Sequence, residues 1–174
     1  MYPPKQSLSE LLRNAPDPHM LWVVDVHQQE IHRHMGKNHW ETASVSTSRF
    51  GLGSEPDSNK TPVGWHEVTD VIGKGGAIDQ EYISREPVAP SNRDDRILSR
   101  ILWLHGLEDG INHTRHDRYI YIHGTNQTAE LGTPASMGCI RMDPKTIAIW
   151  ADECSENLPL VWIGEVEEKM ERRF

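Results

Sequence analysis

Two residues of this 174-residue chain, His123 and Cys139, have types and a spacing that suit covalent chemistry. A free thiol titrates near roughly pH 8.5 and is only a few per cent thiolate at neutrality, so it needs an imidazole or a positive environment to become a nucleophile. His123 can act as that base. Its other ring nitrogen must be held by an acceptor, and a backbone carbonyl at the Gly124 turn serves as well as a carboxylate. Gly138 lets a substrate carbonyl approach the chain closely, and the N–H of Gly138 or Cys139 can form part of an oxyanion hole. Arg141 is placed to hold a substrate carboxylate. The chemistry so assembled is acyl transfer on a peptide-like carbonyl.

Such residues work only if secondary structure brings them together. In a strand alternate side chains share a face, so Tyr121 and His123 lie on one face of Tyr119–His123, and Ile120 and Ile122 on the other, toward the core. The same rule sets Cys139 and Arg141 opposite Ile140 and Met142. With His123 ending one strand and Cys139 beginning the next, antiparallel pairing is expected to bring both to one end of the sheet. Strands about 4.8 Å apart then allow a Cys–His hydrogen bond.

The remaining elements follow from pattern. A short helix is expected at Leu8–Arg13, stopped by Pro16 and Pro18. Leu21–Val26 and Ile31–Met35 read as a hairpin, and Thr42–Thr47, Thr61–Thr69, Arg100–His105 and Leu160–Ile163 as further strands. One clear helix begins at Asp143 as cap and Pro144 in the first turn, with Ile147, Trp150 or Ala151, and Cys154 on its apolar side. Gly73–Arg96 is weakly patterned, and the longer stretch to Asn112 reads as a lid or a solvated loop. Many short strands with one or two helices predict a mainly β fold, a barrel or sandwich in one domain, with 1–20 as an N-terminal cap segment, 21–165 as the catalytic domain and 166–174 as a charged tail.

Composition narrows the partners. A net charge of −8 disfavours nucleic acid as a partner, although Arg115, Arg118 and Arg141 could gather in one cleft. No apolar run suits membrane insertion. The start shows no export signal, so the cytoplasm is expected, or the periplasm if the true N-terminus is longer. Two cysteines, Cys139 and Cys154, suggest free thiols in a reducing compartment. No cofactor is expected.

His123-Gly-Thr-Asn, followed by Gly132-Thr-Pro-Ala-Ser-Met-Gly-Cys-Ile-Arg-Met142, resembles the signature of the YkuD-type L,D-transpeptidases. Leu21–Val26, Ser46-Thr-Ser and Lys60-Thr-Pro-Val-Gly resemble the family's earlier blocks, so the likeness runs from about Leu21 to Ile163. It implies that Cys139 attacks the L-to-D bond of a peptidoglycan stem tetrapeptide, expelling D-Ala and leaving a thioester. His123 would be the base, oriented by the Gly124 carbonyl, and Ser136, Met137, Arg141 and Tyr121 the substrate contacts. Met137 stands where the family usually has a histidine. The resemblance admits L,D-carboxypeptidases that trim recycled muropeptides, the favoured expectation, and periplasmic cross-linking enzymes. It also implies a β-lactam of the carbapenem type as covalent inhibitor.

Two other classes compete. A metal-binding module is suggested by His32-x-His34 and His113-x-x-His116, yet no His-Glu-x-x-His frame occurs and no metal ligand set is assigned. A non-catalytic peptidoglycan-binding module would have no need of an intact Cys139 and His123. Cys154 and most of the six tryptophans read as packing residues.

Overall fold

The computed structural model describes residues 2–113, 118–154 and 156–167. Its strands are β1 (Leu21–Asp25), β2 (Glu30–His34), β3 (Trp40–Ser46), β4 (Gly64–Ile72), β5 (Glu81–Ile83), β6 (Glu86–Val88), β7 (Ile97–Gly106), β8 (Tyr121–Thr125), β9 (Ile140–Met142) and β10 (Leu160–Gly164). They hydrogen-bond in the order β4-β10-β1-β2-β3-β9-β8-β7, and β4 also pairs with β7. The eight strands therefore close into a barrel, while β5 and β6 extend from β7 as a hairpin. Closure removes the exposed edges that an open sheet would present. The mainly β fold holds.

The barrel's main core gathers the inward faces of the strands, including Val24, Ile31, Val45, Leu102, Ile122, Ile140, Met142, Val161 and Ile163. Helix α2 (Pro144–Asp152) adds Ile147, Trp150 and Ala151 to it, and Cys154 just beyond the helix joins them. Asp143 caps α2 by accepting the Thr146 N–H at 3.0 Å, and Pro144 occupies the first turn, as the sequence predicts. Helix α1 (Leu8–Asn14) opens with a Ser7/Glu10 capping box and packs Leu8 and Leu11 against Leu21, Val23 and Trp162 on the barrel's outer face. Among the described residues, no helix is long and apolar enough to cross a membrane.

Two expectations need correction. Strands β8 and β9 run parallel, with Ile122 opposite Ile140 and His123 opposite Arg141. The chain between them is long enough for the crossover that parallel neighbours require. The weakly patterned stretch from Gly73 is also not one long loop. It holds the β5–β6 hairpin, whose Ser84 and Arg85 turn with φ of 49° and 70°, the sense that matches strand twist in a two-residue turn.

Candidate active site

The side-chain alternation expected in β8 and β9 is what the structure displays. Ile120, Ile122, Ile140 and Met142 enter the barrel core, whereas Tyr121 joins Tyr82 and Ile101 in a smaller outer cluster against which Cys139 packs. Parallel pairing keeps His123 and Cys139 on one face as diagonal neighbours. In this arrangement the imidazole must lean back along its strand to reach the sulfur.

His123 is buried, and its Nδ1 lies 2.7 Å from the Gly124 carbonyl. A carbonyl only accepts, so Nδ1 carries the proton and Nε2 is left with the lone pair of a base. Burial holds the imidazole below its ordinary range, against the opposing effect of the Gly124 bond. Gly124 must be glycine: a Cβ there would stand 2.5 Å from the Leu98 carbonyl and 3.1 Å from Pro144 Cα. The close approach of β7 and the start of α2 thus fixes the carbonyl that orients the base.

Cys139 is half-buried and directs its thiol to the Tyr119 carbonyl at 3.5 Å. Burial pushes the thiol up to about 11, opposed by a hydrogen bond from the Tyr121 main chain and by the charges of Arg141 and Arg118, while Asp95 adds to the rise. A neutral thiol and a neutral imidazole on one face of the sheet follow.

The turn before Cys139 is built by Ser136 and Gly138. Ser136 is 1% exposed, and its hydroxyl donates to the Cys139 carbonyl at 2.5 Å and accepts the Gly138 N–H at 3.2 Å. Ser136, expected as a substrate contact, holds the loop before Cys139 in shape through these bonds. Gly138 adopts φ of 125°, which only glycine tolerates without strain, and its carbonyl accepts the Thr61 hydroxyl at 2.9 Å. Of the two main-chain donors expected for an oxyanion, Gly138 and Cys139, the Gly138 N–H is thus engaged within the turn by Ser136.

Arg141 is 4% exposed, and its guanidinium meets Asp95 at 2.7 Å, Glu130 at 3.1 Å and Gln127 at 2.9 Å. These partners consume the charge that was expected to hold a substrate carboxylate. Tyr121 is buried too, and its hydroxyl accepts Arg85 Nη1 at 2.9 Å. Met137, by contrast, is 54% exposed at the rim.

Sequence reasoning did not single out Arg85 and Trp103. Arg85 lies 4.3 Å over Trp103 and 5.2 Å over Tyr119, so the hairpin tip is pinned to the aromatic wall beside Cys139. The ring stack of Trp103 on Tyr119, 5.8 Å between centroids, follows from the pairing of β7 with β8. The other histidine motifs fall elsewhere. His32 Nδ1 meets Thr42, His34 Nδ1 meets the Pro18 carbonyl, and His113 stacks edge-on with His105. Arg115 and His116 lie outside the described residues. Among the described residues, no three His, Cys, Asp or Glu side chains converge as a metal site.

A barrel carrying a cysteine on its outer face, with a histidine whose tautomer is set by a main-chain carbonyl, has an arrangement suited to cysteine acyl transfer. The model of the YkuD family, the L,D-transpeptidase catalytic domain, matches residues 14–162, and the chain belongs to this family. Among solved structures, an L,D-transpeptidase from Xylanimonas cellulosilytica superposes with a TM-score of 0.53 at 15% identity, covering 82% of this chain and 59% of that one. L,D-transpeptidase 3 from Mycobacterium tuberculosis gives 0.50 at 14% identity, covering 84% of this chain and 61% of that one. The chain therefore spans about three-fifths of the length of these structures, and likeness at such identity speaks for the fold. A comparison with curated proteins finds no match.

Proposed function

We propose that this chain cleaves the bond between the diamino acid and the terminal D-Ala of a peptidoglycan stem tetrapeptide, through a thioester on Cys139. The observation that carries the reading is the Nδ1 bond of His123 to the Gly124 carbonyl, which presents Nε2 as a base on the face that carries the thiol. On substrate arrival the thiol leaves the Tyr119 carbonyl and gives its proton to Nε2, and sulfur adds to the peptide carbonyl. The oxyanion meets the Cys139 N–H. Collapse breaks the C–N bond, and His123 returns the proton to the departing D-Ala amine. The thioester is then released by a second nucleophile.

Water is our choice for that nucleophile, making the protein an L,D-carboxypeptidase. Met137 is an exposed side chain at the rim whose thioether neither donates nor strongly accepts hydrogen bonds, and so does little to orient an incoming amine. Water needs no such docking. Murein recycling in the cytoplasm suits two free thiols, Cys139 and Cys154, which a reducing compartment would preserve. A carbapenem would acylate the same thiol through its strained ring amide.

Product analysis tests the assignment. Purified protein is incubated with disaccharide tetrapeptide, with and without a D-amino acid, alongside Cys139→Ala. Tripeptide as the dominant product, absent with the variant, is expected. D-amino acid exchange or cross-linked dimer exceeding hydrolysis would overturn the choice of water.

A further inference from the structure

Three arginines surround the nucleophile, and they differ in what neutralises them. Arg141 is matched by Asp95 and Glu130. Arg85 is stacked on Trp103 and Tyr119 and bonded to the Tyr121 hydroxyl. Arg118, half-buried, donates to two main-chain carbonyls, Gly53 at 3.2 Å and Lys60 at 2.9 Å, and forms no ion pair among the described residues. Carbonyls fix a guanidinium's orientation without cancelling its charge. Among the described residues two of its five N–H groups are so engaged, which leaves three to meet a ligand.

The position of Arg118 is set by the nucleophile's own surroundings. The Lys60 carbonyl that it binds lies 3.5 Å from the point where a Gly138 Cβ would sit, one residue before Cys139. The residue after Arg118 is Tyr119, whose carbonyl receives the Cys139 thiol. The guanidinium is thus tied to both segments that border the sulfur. Its electrostatic influence reaches the thiol, and two carboxylates that act on it in turn, Glu55 and Asp57, lie on the loop it grips. Glu55 is itself engaged by Lys60 Nζ at 3.6 Å.

We propose that Arg118 binds the free C-terminal carboxylate of the donor peptide, selecting substrates in which a single D-residue follows the scissile bond. The assignment rests on the acyl-transfer reading above. It moves the carboxylate-binding role expected of Arg141 to an arginine that, among the described residues, forms no ion pair. A terminal carboxylate is only one residue beyond the carbonyl that Cys139 attacks, so the group that holds it must stand beside the sulfur. An Arg–carboxylate pair in a half-buried setting also discriminates well, because an uncharged end leaves the guanidinium without its strongest partner.

The test compares a stem tetrapeptide ending in D-Ala with the same peptide ending in D-alaninamide. Kinetics are measured for the wild type, Arg118→Gln and Arg118→Lys, with acyl-enzyme followed by intact mass. Wild type is expected to prefer the carboxylate by roughly 10- to 100-fold in kcat/KM, the range of a charged hydrogen bond. Arg118→Gln should lose that preference by raising KM for the carboxylate substrate far more than for the amide, and Arg118→Lys should keep part of it. Equal turnover of both peptides by wild type would overturn the proposal without any variant being needed. So would an equal loss on both substrates in Arg118→Gln, the mark of a group that serves the thiol or the fold. If wild type forms no acyl-enzyme with either peptide, the acyl-transfer reading fails, and this assignment with it.

Discussion

The proposed chemistry turns on the resting state of the Cys139 thiol, and a pH series on a small neutral electrophile such as iodoacetamide reads it directly. Burial raises the Cys139 thiol to about 11. At pH 7 a thiol of that pKa is about one part in 10,000 thiolate, against about 3% for an ordinary cysteine, a deficit of about 300-fold. A more basic thiolate is also more nucleophilic, with a Brønsted slope near 0.4–0.5, which returns about tenfold. Cys139 should therefore alkylate about 30-fold more slowly than an unperturbed thiol at pH 7, and its rate should climb about tenfold per pH unit through pH 9 without levelling. Peptide mapping by mass spectrometry assigns the label, and Cys154, buried in the main core, should stay unlabelled over the same period. A rate that levels off below about pH 8 would reveal a preformed thiolate–imidazolium pair and refute the neutral-thiol mechanism.

Other consequences follow from the same geometry. His123 must be neutral to accept a proton, and burial lowers its pKa, so the acid limb of kcat/KM should lie below the ordinary imidazole value of 6.5; a limb above it would contradict the buried base. Gly124→Ala should destabilise the fold by about 1–3 kcal/mol in urea melts and depress activity further by shifting the carbonyl that orients His123, because its Cβ would stand 2.5 Å from the Leu98 carbonyl. Asp152→Ala should cost about 2–3 kcal/mol, less than a fully buried pair because Asp152 is 35% exposed, since it strips the two 2.8 Å bonds from the buried Arg100 guanidinium. Arg100 holds the Asp152 carboxyl below its ordinary 3.8, so this stabilisation is present above pH 3.8 and is lost as pH falls through the lower folded value, as acid titration of the melting temperature would show. Met137→His adds a hydrogen-bonding side chain at an exposed position and should raise D-amino acid exchange relative to hydrolysis, with stability within about 0.5 kcal/mol of wild type.

The parts of the site legible in sequence were those set by local pattern. Alternation in Tyr121–His123 and Cys139–Met142 separates the reactive face from the core face because a strand's side-chain period is two. Asp143 and Pro144 announce α2 by capping chemistry alone. The direction of β9 was not legible, since the residues after Thr125 contain no long helix to signal a crossover, only a 3-10 turn at Thr128–Glu130. The β5–β6 hairpin was hidden for a related reason: its strands have three residues each, and its turn uses Ser84 and Arg85 where Asn-Gly would have signalled it. The fate of Arg141 depended on Asp95 from one loop and on Gln127 and Glu130 from the 3-10 turn of another. Spacing carries no information about such pairings, nor about the burial that raises the Cys139 thiol.

The most direct test of covalent catalysis by Cys139 is rapid-quench intact-mass spectrometry of the protein mixed with a stem tetrapeptide. An adduct equal to the peptide minus D-Ala is expected, mapped to Cys139, absent in Cys139→Ala and strongly slowed in His123→Gln. Tripeptide release by Cys139→Ala at the wild-type rate would contradict it.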